Sequence, residues 1–171
     1  IFTKNILVDN SFVEGLWQNS YEVINQANLV IDNISVINQT TESNRVEGEA
    51  KFLRALAYFD LVRHFGGVPL RIEGIVDYSS DLNIQRSSEE EIYNQIISDL
   101  NDSYNLLPPS NDFFADKYAA KALLARVYLQ RSEYSNALDA AHDVIVNSGH
   151  ELADTFAGAF NNDVDGVEDI F

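Results

Sequence analysis

Along most of this chain, apolar residues return every three or four positions, which is the period of a helix and not of a strand. Over residues 13–38, Trp17, Tyr21, Ile24, Ala27, Ile31 and Ile34 share one helical face. The polar run NQTTESN (38–44) then breaks the pattern. A second helix is expected over roughly 45–65. Ala50, Leu53, Ala57, Leu61 and His64 define its stripe, and Phe52, Leu56, Phe59 and Val62 widen it, so it needs neighbours on two sides. Ala50, Ala55 and Ala57 lack bulk and allow another helix to approach closely. Gly66 or Gly67 supplies a left-handed residue after the last turn, and Pro69 prevents continuation.

Residues 70–86 read as an irregular connector. Ser87 then opens a capping box with Glu90, and Glu89, Glu90 and Glu91 lie where a helix dipole favours anions. That helix runs to about 107, is anchored by Ile92, Ile96, Leu100 and Leu107, and ends at Pro108-Pro109. After a loop, helices are expected at about 116–131 and 133–147, joined tightly at Ser132, and residues 150–171 read as short helix and loop. Strand signals are scarce, so the fold class is all-α, in one helical domain over 1–171.

The last two helices carry a further signal. Leu124, Ala125, Tyr128, Ser132, Tyr134, Ala137 and Ala141 follow, in order, the offsets of a tetratricopeptide repeat, whose period is about 34 residues. Gly149 stands where that repeat carries its closing proline. A second copy is split: Ala55 and Tyr58 fit its first helix, and Ile96, Leu100 and Pro108 fit its second, with the connector inserted between. The expected architecture is therefore antiparallel helix pairs, about 45–108 and 116–149, in a tetratricopeptide-like superhelix. An ordinary helical bundle with coincidental small residues is the competing reading. By repeat position Phe52, Phe59, Tyr128 and Tyr134 belong to the core.

Charge narrows the function. Asp and Glu number 27 against 11 Lys and Arg, a net charge of −16 without a basic cluster. Nucleic-acid backbones and anionic lipid surfaces would repel such a chain. A hydrophobic content of 46% argues against disorder. With no Cys there are no disulfides and no thiolate metal sites. No run of eighteen or more apolar residues exists to span a bilayer. The chain begins at Ile1 and has no Met, so a leader, and perhaps a tail, is expected outside it.

Five stretches, taken in order, resemble the SusD/RagB family of Bacteroidetes outer-membrane nutrient-binding lipoproteins. They are LWQNSYEVINQANLVIDNI (16–34), EGEAKFLRALAYFDLVRHFGGVPL (47–70), RSSEEEIYNQIISDLNDSYNLLP (86–108), DKYAAKALLARVYLQRSEYSNALDAAHDVIVNSG (116–149) and HELADTFAGAFNNDVDGVEDIF (150–171). Phe113-Phe114 departs from the Gly-Arg that relatives often carry there. The resemblance implies an α-α superhelix of SusD type and a non-enzymatic protein at the cell surface, held on the outer membrane by a lipid anchor outside this chain. It implies a SusC-like TonB-dependent transporter as partner and a glycan or other nutrient as ligand. Full members are much longer, so this chain is expected to be their scaffold portion, with most ligand contacts on flanking loops. A tetratricopeptide adaptor binding peptide segments is the alternative, and the absence of a basic clamp speaks against it.

Candidate chemistry is sparse. Tyr78, Phe113 and Phe114 fall in expected loops, where rings are free to stack on a sugar, and they are the candidate ligand-binding residues. Trp17 lies on an apolar stripe and is expected to pack in the core. Arg54, Arg63, Glu47, Glu49 and Asp60 read as surface groups, with Asp60 spaced to pair with Arg63 or His64. His64, His142 and His150 show no ligand spacing, and no catalytic arrangement is present, so neither enzyme activity nor a cofactor is expected. Asn161, Asp163, Asp165 and Gly166 match positions of a calcium loop, but the twelfth would be residue 172, and a plain loop is the preferred reading.

Overall fold

The computed structural model describes residues 10–38, 40–77, 83–110, 114–151 and 155. Five α-helices make up the described residues, and no strand is among them: α1 (Ser11–Asn33), α2 (Thr41–Phe65), α3 (Glu89–Leu106), α4 (Lys117–Gln130) and α5 (Tyr134–Asn147). A single 3-10 turn, Ile34–Val36, follows α1. None of these helices is long and apolar enough to cross a membrane.

Each helix packs on the next one in the chain, and neighbours run antiparallel. The direction shows in the cross-helix pairs: Trp17 meets Phe65 and Asn28 meets Arg54 between α1 and α2, while Gly48 meets Ser103 and Arg54 meets Asp99 between α2 and α3. Local signals set the starts. The Asn10 side chain accepts from Phe12 and Val13 N–H, Thr40 and Ser43 form a capping box, and Asp116 accepts from Ala119 N–H. On α3 the capping box is Ser88 with Glu91, one residue later than the Ser87–Glu90 pairing expected from sequence. Both registers satisfy the S-x-x-E spacing. The extra residue lets Ser87 N–H bond Val68 C=O at 3.0 Å.

Helix α2 is the centre of the bundle. It buries Phe52, Ala55, Ala57, Tyr58, Phe59, Leu61 and Val62 between α1 and α3. Two residues of the expected stripe point out instead: Leu53 is 43% exposed, and His64 is exposed with Nδ1 2.7 Å from the Asp60 carbonyl oxygen. In their register the buried face takes Arg54, for a reason given below. Close approach rests on Gly48 as well as on the alanines. A Cβ there would lie 2.8 Å from Leu107 Cγ, and Ser103 Oγ–H donates to the Gly48 carbonyl at 2.9 Å. Ile92, Ile96, Leu100 and Leu107 are all buried, as expected. Each such side chain contributes about 1.5–3 kcal/mol by leaving water.

Past α2, Gly66 takes φ 71° and ψ −141°. The positive φ fits the expectation, but ψ is not that of a left-handed helical turn; the chain leaves extended. Gly67 has a separate task, since a Cβ on it would sit 2.2 Å from the Ser87 carbonyl oxygen. At the other tight junction Ser132 adopts φ 62°, and Glu133 N–H reaches back to Tyr128 C=O at 2.9 Å. Helix α5 buries Ala137, Ala140 and Val144. Tyr134, assigned to the core by repeat position, is 67% exposed, and Ala141 is only partly covered. Both lie about a quarter turn away from the buried face.

Candidate functional site

The connector between α2 and α3 carries Tyr78, and its described residues have no helix or strand among them. Its first half is nevertheless held by a ladder of side chains. On α1, Tyr21, Asn25, Asn28 and Asp32 recur every three or four residues and face it. Tyr21 O–H donates to Pro69 C=O at 2.8 Å. The Asn28 amide donates to Arg71 C=O and Glu73 C=O, both at 3.1 Å. Asp32 accepts from Gly74 N–H at 2.7 Å, and Asn25 accepts from Ile75 N–H at 2.7 Å. From α2, Tyr58 O–H donates to Arg71 C=O at 2.8 Å while its oxygen accepts Arg71 N–H at 2.7 Å. These bonds replace the ladder that a strand or helix would have supplied to an otherwise orphaned backbone.

Beneath the ladder lies a buried ion pair. Arg54, 5% exposed, donates through Nε and Nη2 to the two Asp99 oxygens at 2.8 and 2.7 Å, and through Nη1 to Asn28 Oδ1 at 2.7 Å. Gln95 donates to Asp99 at 2.9 Å. Asn28 thus joins the pair to the connector, and its oxygen and amide are both satisfied. Burial pushes the Asp99 carboxyl above its ordinary range, with Arg54 and Gln95 pulling the other way. Burial also pushes the Tyr58 hydroxyl up to about 12 and raises that of Tyr21, so both stay neutral donors to the connector. Sequence reading placed Arg54 on the surface. The missed signal was Asn28, a polar residue inside the α1 apolar stripe beside Ala27.

Of the sequence candidates, Phe114 is exposed, with the Arg45 guanidinium 5.7 Å from its ring centroid. Tyr78 and Phe113 lie outside the described residues, as do Asn161, Asp163, Asp165 and Gly166. Trp17 is half-buried between Tyr21 and Phe65, at centroid separations of 5.0 and 5.1 Å. Asp60 pairs with Arg63, and Glu47 pairs with Lys51 at 3.0 Å. Glu49 pairs with Arg45. No group of His, Asp or Glu able to hold a metal occurs among the described residues.

A groove of about 430 Å³ opens between α1 and α2, with Val23, Val30, Val46 and Leu53 among its walls and Glu22 and Glu49 at its margin. Its walls are aliphatic. A sugar needs aromatic faces and convergent polar groups, so this groove suits a protein surface better.

Residues 2–129 match a family model described as SusD-like, starch-binding associating with outer membrane. The chain is 37% identical over 142 residues to SusD-like protein P2 of Formosa agariphila, covering 81% of this chain and 28% of that protein. A laminarin-binding SusD-like protein superposes with a TM-score of 0.77 at 29% identity, covering 82% of this chain and 32% of that one. A crystal structure with xylogluco-oligosaccharide superposes with a TM-score of 0.80, also at 29% identity, over 86% of this chain and 32% of that one. The chain spans about three-tenths of the length of each.

Proposed function

The chain belongs to the SusD-like family, and from that premise we propose that it is the helical scaffold of a longer, non-enzymatic glycan-binding protein. The protein works at the outer-membrane surface of a Bacteroidetes bacterium, tethered by a lipid anchor outside this chain, and hands oligosaccharide to a SusC-like TonB-dependent transporter. The observation that carries this reading is the side-chain ladder on the connector. A loop that served only to join two helices would not need Tyr21, Asn25, Asn28, Asp32 and Tyr58 to fix its path. Fixing the path of residues 69–75 preorganises the first half of the connector, and preorganised loops lose less entropy on binding.

Similarity to a laminarin-binding protein and to a structure holding xylogluco-oligosaccharide supports a glycan as ligand. The aliphatic groove between α1 and α2 supports contact with a partner protein on a different side from the connector. The test is calorimetric titration of the longest polypeptide encoded with this chain, using laminarin and xyloglucan oligosaccharides. Saturable heat that falls on Tyr78→Ala or Phe114→Ala is expected. No heat with any member of a broad glycan panel would overturn the reading.

A further inference from the structure

Lysines are scarce in this chain, four against 27 acidic residues, and two of them converge on one ring. Lys117 Nζ lies 4.4 Å and Lys121 Nζ 4.6 Å from the ring centroid of Tyr104. Lys117 Nζ is also 5.6 Å from the ring centroid of Tyr118. Three helices build this cluster at one end of the bundle. Helix α3 brings Tyr104 in its last turn, α4 brings the two lysines one turn apart at its start, and α5 brings Asp143.

The cluster's carboxylate is already committed. Asp143 Oδ1 accepts from the Asn147 amide at 2.7 Å. Its Oδ2 accepts the Tyr104 hydroxyl at 3.0 Å and stands 3.7 Å from Lys121 Nζ. Asn147, Tyr104 and the two ammonium groups hold Asp143 below the usual carboxylate range, so it stays ionised. Lys51, by contrast, has two acids of its own, Glu47 at 3.0 Å and Asp102 at 2.8 Å. No acidic side chain among the described residues pairs with Lys117. Two half-buried cations therefore face one anion, in a chain of net charge −16. A ring attracts a cation's charge but leaves most of its three N–H donors unused.

Phe114, exposed, stands three residues before Lys117. An exposed ring and a cation pair at the start of one helix match a sugar that carries an anion. The ring suits its apolar face, and the ammonium groups suit its charged oxygens. We propose that Lys117 and Lys121 bind the anionic substituent of an acidic glycan, a uronate carboxylate or a sulfate ester. This rests on the glycan reading above and narrows it to charged sugars. Repulsion from distant carboxylates is screened beyond about 8 Å in physiological salt, whereas the two lysines act at contact.

Calorimetry on the longest polypeptide encoded with this chain tests the assignment. Oligogalacturonides and carrageenan oligosaccharides supply the carboxylate and the sulfate, and their carboxyl-reduced and desulfated counterparts are the neutral controls. At least one acidic probe should bind about tenfold or more tightly than its neutral counterpart, and the probe that does so identifies the anion. Lys117→Met should remove most of that ratio, and Lys117→Arg should keep it. Lys117 has no acidic partner to orphan, so the denaturation midpoint should hold in both; should Lys117→Met lower it, Lys117→Gln decides by the same ratio. An acidic preference that survives Lys117→Met with Lys121→Met overturns the proposal. Binding of neutral glycans alone overturns it too and leaves the glycan reading standing, while no heat with any glycan overturns both. Inorganic sulfate binding as tightly as the sulfated sugar would mark an adventitious ion only, and preferential binding of a polyglutamate peptide would mark a protein partner; either result overturns it.

Discussion

Replacing Asp99 by alanine should be among the most damaging single changes in this chain. In the native structure Asp99 is 1% exposed and Arg54 5% exposed, and they share two charge-assisted bonds of 2.7 and 2.8 Å. Asp99→Ala leaves the guanidinium in place with Asn28 Oδ1 at 2.7 Å and the Ile72 carbonyl at 3.4 Å as its remaining acceptors. Removing one partner of a buried pair costs about 3–5 kcal/mol, because the other charge stays desolvated. Domains of this kind have roughly 5–15 kcal/mol in total, so the loss is a large fraction. Urea denaturation followed by circular dichroism at neutral pH reads it directly. A second arm separates charge from packing. Arg54→Met with Asp99→Leu removes both charges at similar volume and should destabilise less than Asp99→Ala alone. That double variant should still speed amide exchange at residues 71–75, because Asn28 loses the donor that orients it. A loss under about 1 kcal/mol for Asp99→Ala would refute the argument, since that is the value of a solvent-exposed pair.

Three further outcomes follow from the same geometry. Gly67→Ala should cost about 1–3 kcal/mol by pressing a methyl into the Ser87 carbonyl, and an unchanged denaturation midpoint would contradict the pinched connector base. Ala137→Leu should cost a similar 1–3 kcal/mol at the α4–α5 contact; no change would undo the repeat assignment of that pair. Glu91 is held below the usual carboxylate range by the Ser88 N–H and hydroxyl, so its stabilisation is present above the ordinary glutamate pKa and lost as pH falls through the lowered one. The stability gap between wild type and Glu91→Gln should therefore close on acidification from about pH 7 to about pH 3, and a constant gap would contradict the capping box.

Much of the fold was legible because local rules act within a few residues. Helix periods, the Gly-Pro stop after α2, Pro108-Pro109 and the tight turn at Ser132 all read correctly. The errors lie where a choice depends on distant partners. Leu53 and Arg54 are adjacent, and apolarity alone favours burying leucine; Asp99, forty-five residues away, decides for arginine. Ser87 and Ser88 both fit a capping box, and the bond from Ser87 to Val68 selects the second. Tyr134 fits a repeat offset whose burial requires a neighbour on the outer side of α5. The connector ladder was hidden for a related reason. Asn25 and Asp32 look like ordinary helix-surface polar residues until the segment they bind is placed beside them.

The central claim is that this chain supports a glycan site without forming most of it. One stacked ring gives about 1 kcal/mol, and millimolar affinity needs about 4 kcal/mol. Side-by-side calorimetry of the 171-residue chain and of the longest polypeptide encoded with it, against the same oligosaccharides, tests this most directly. The account predicts saturable binding by the longer protein and binding weaker than millimolar by this chain alone. Equal affinity in the two, lost on Tyr78→Ala or Phe114→Ala, would contradict it by placing the whole site within these helices and their connector.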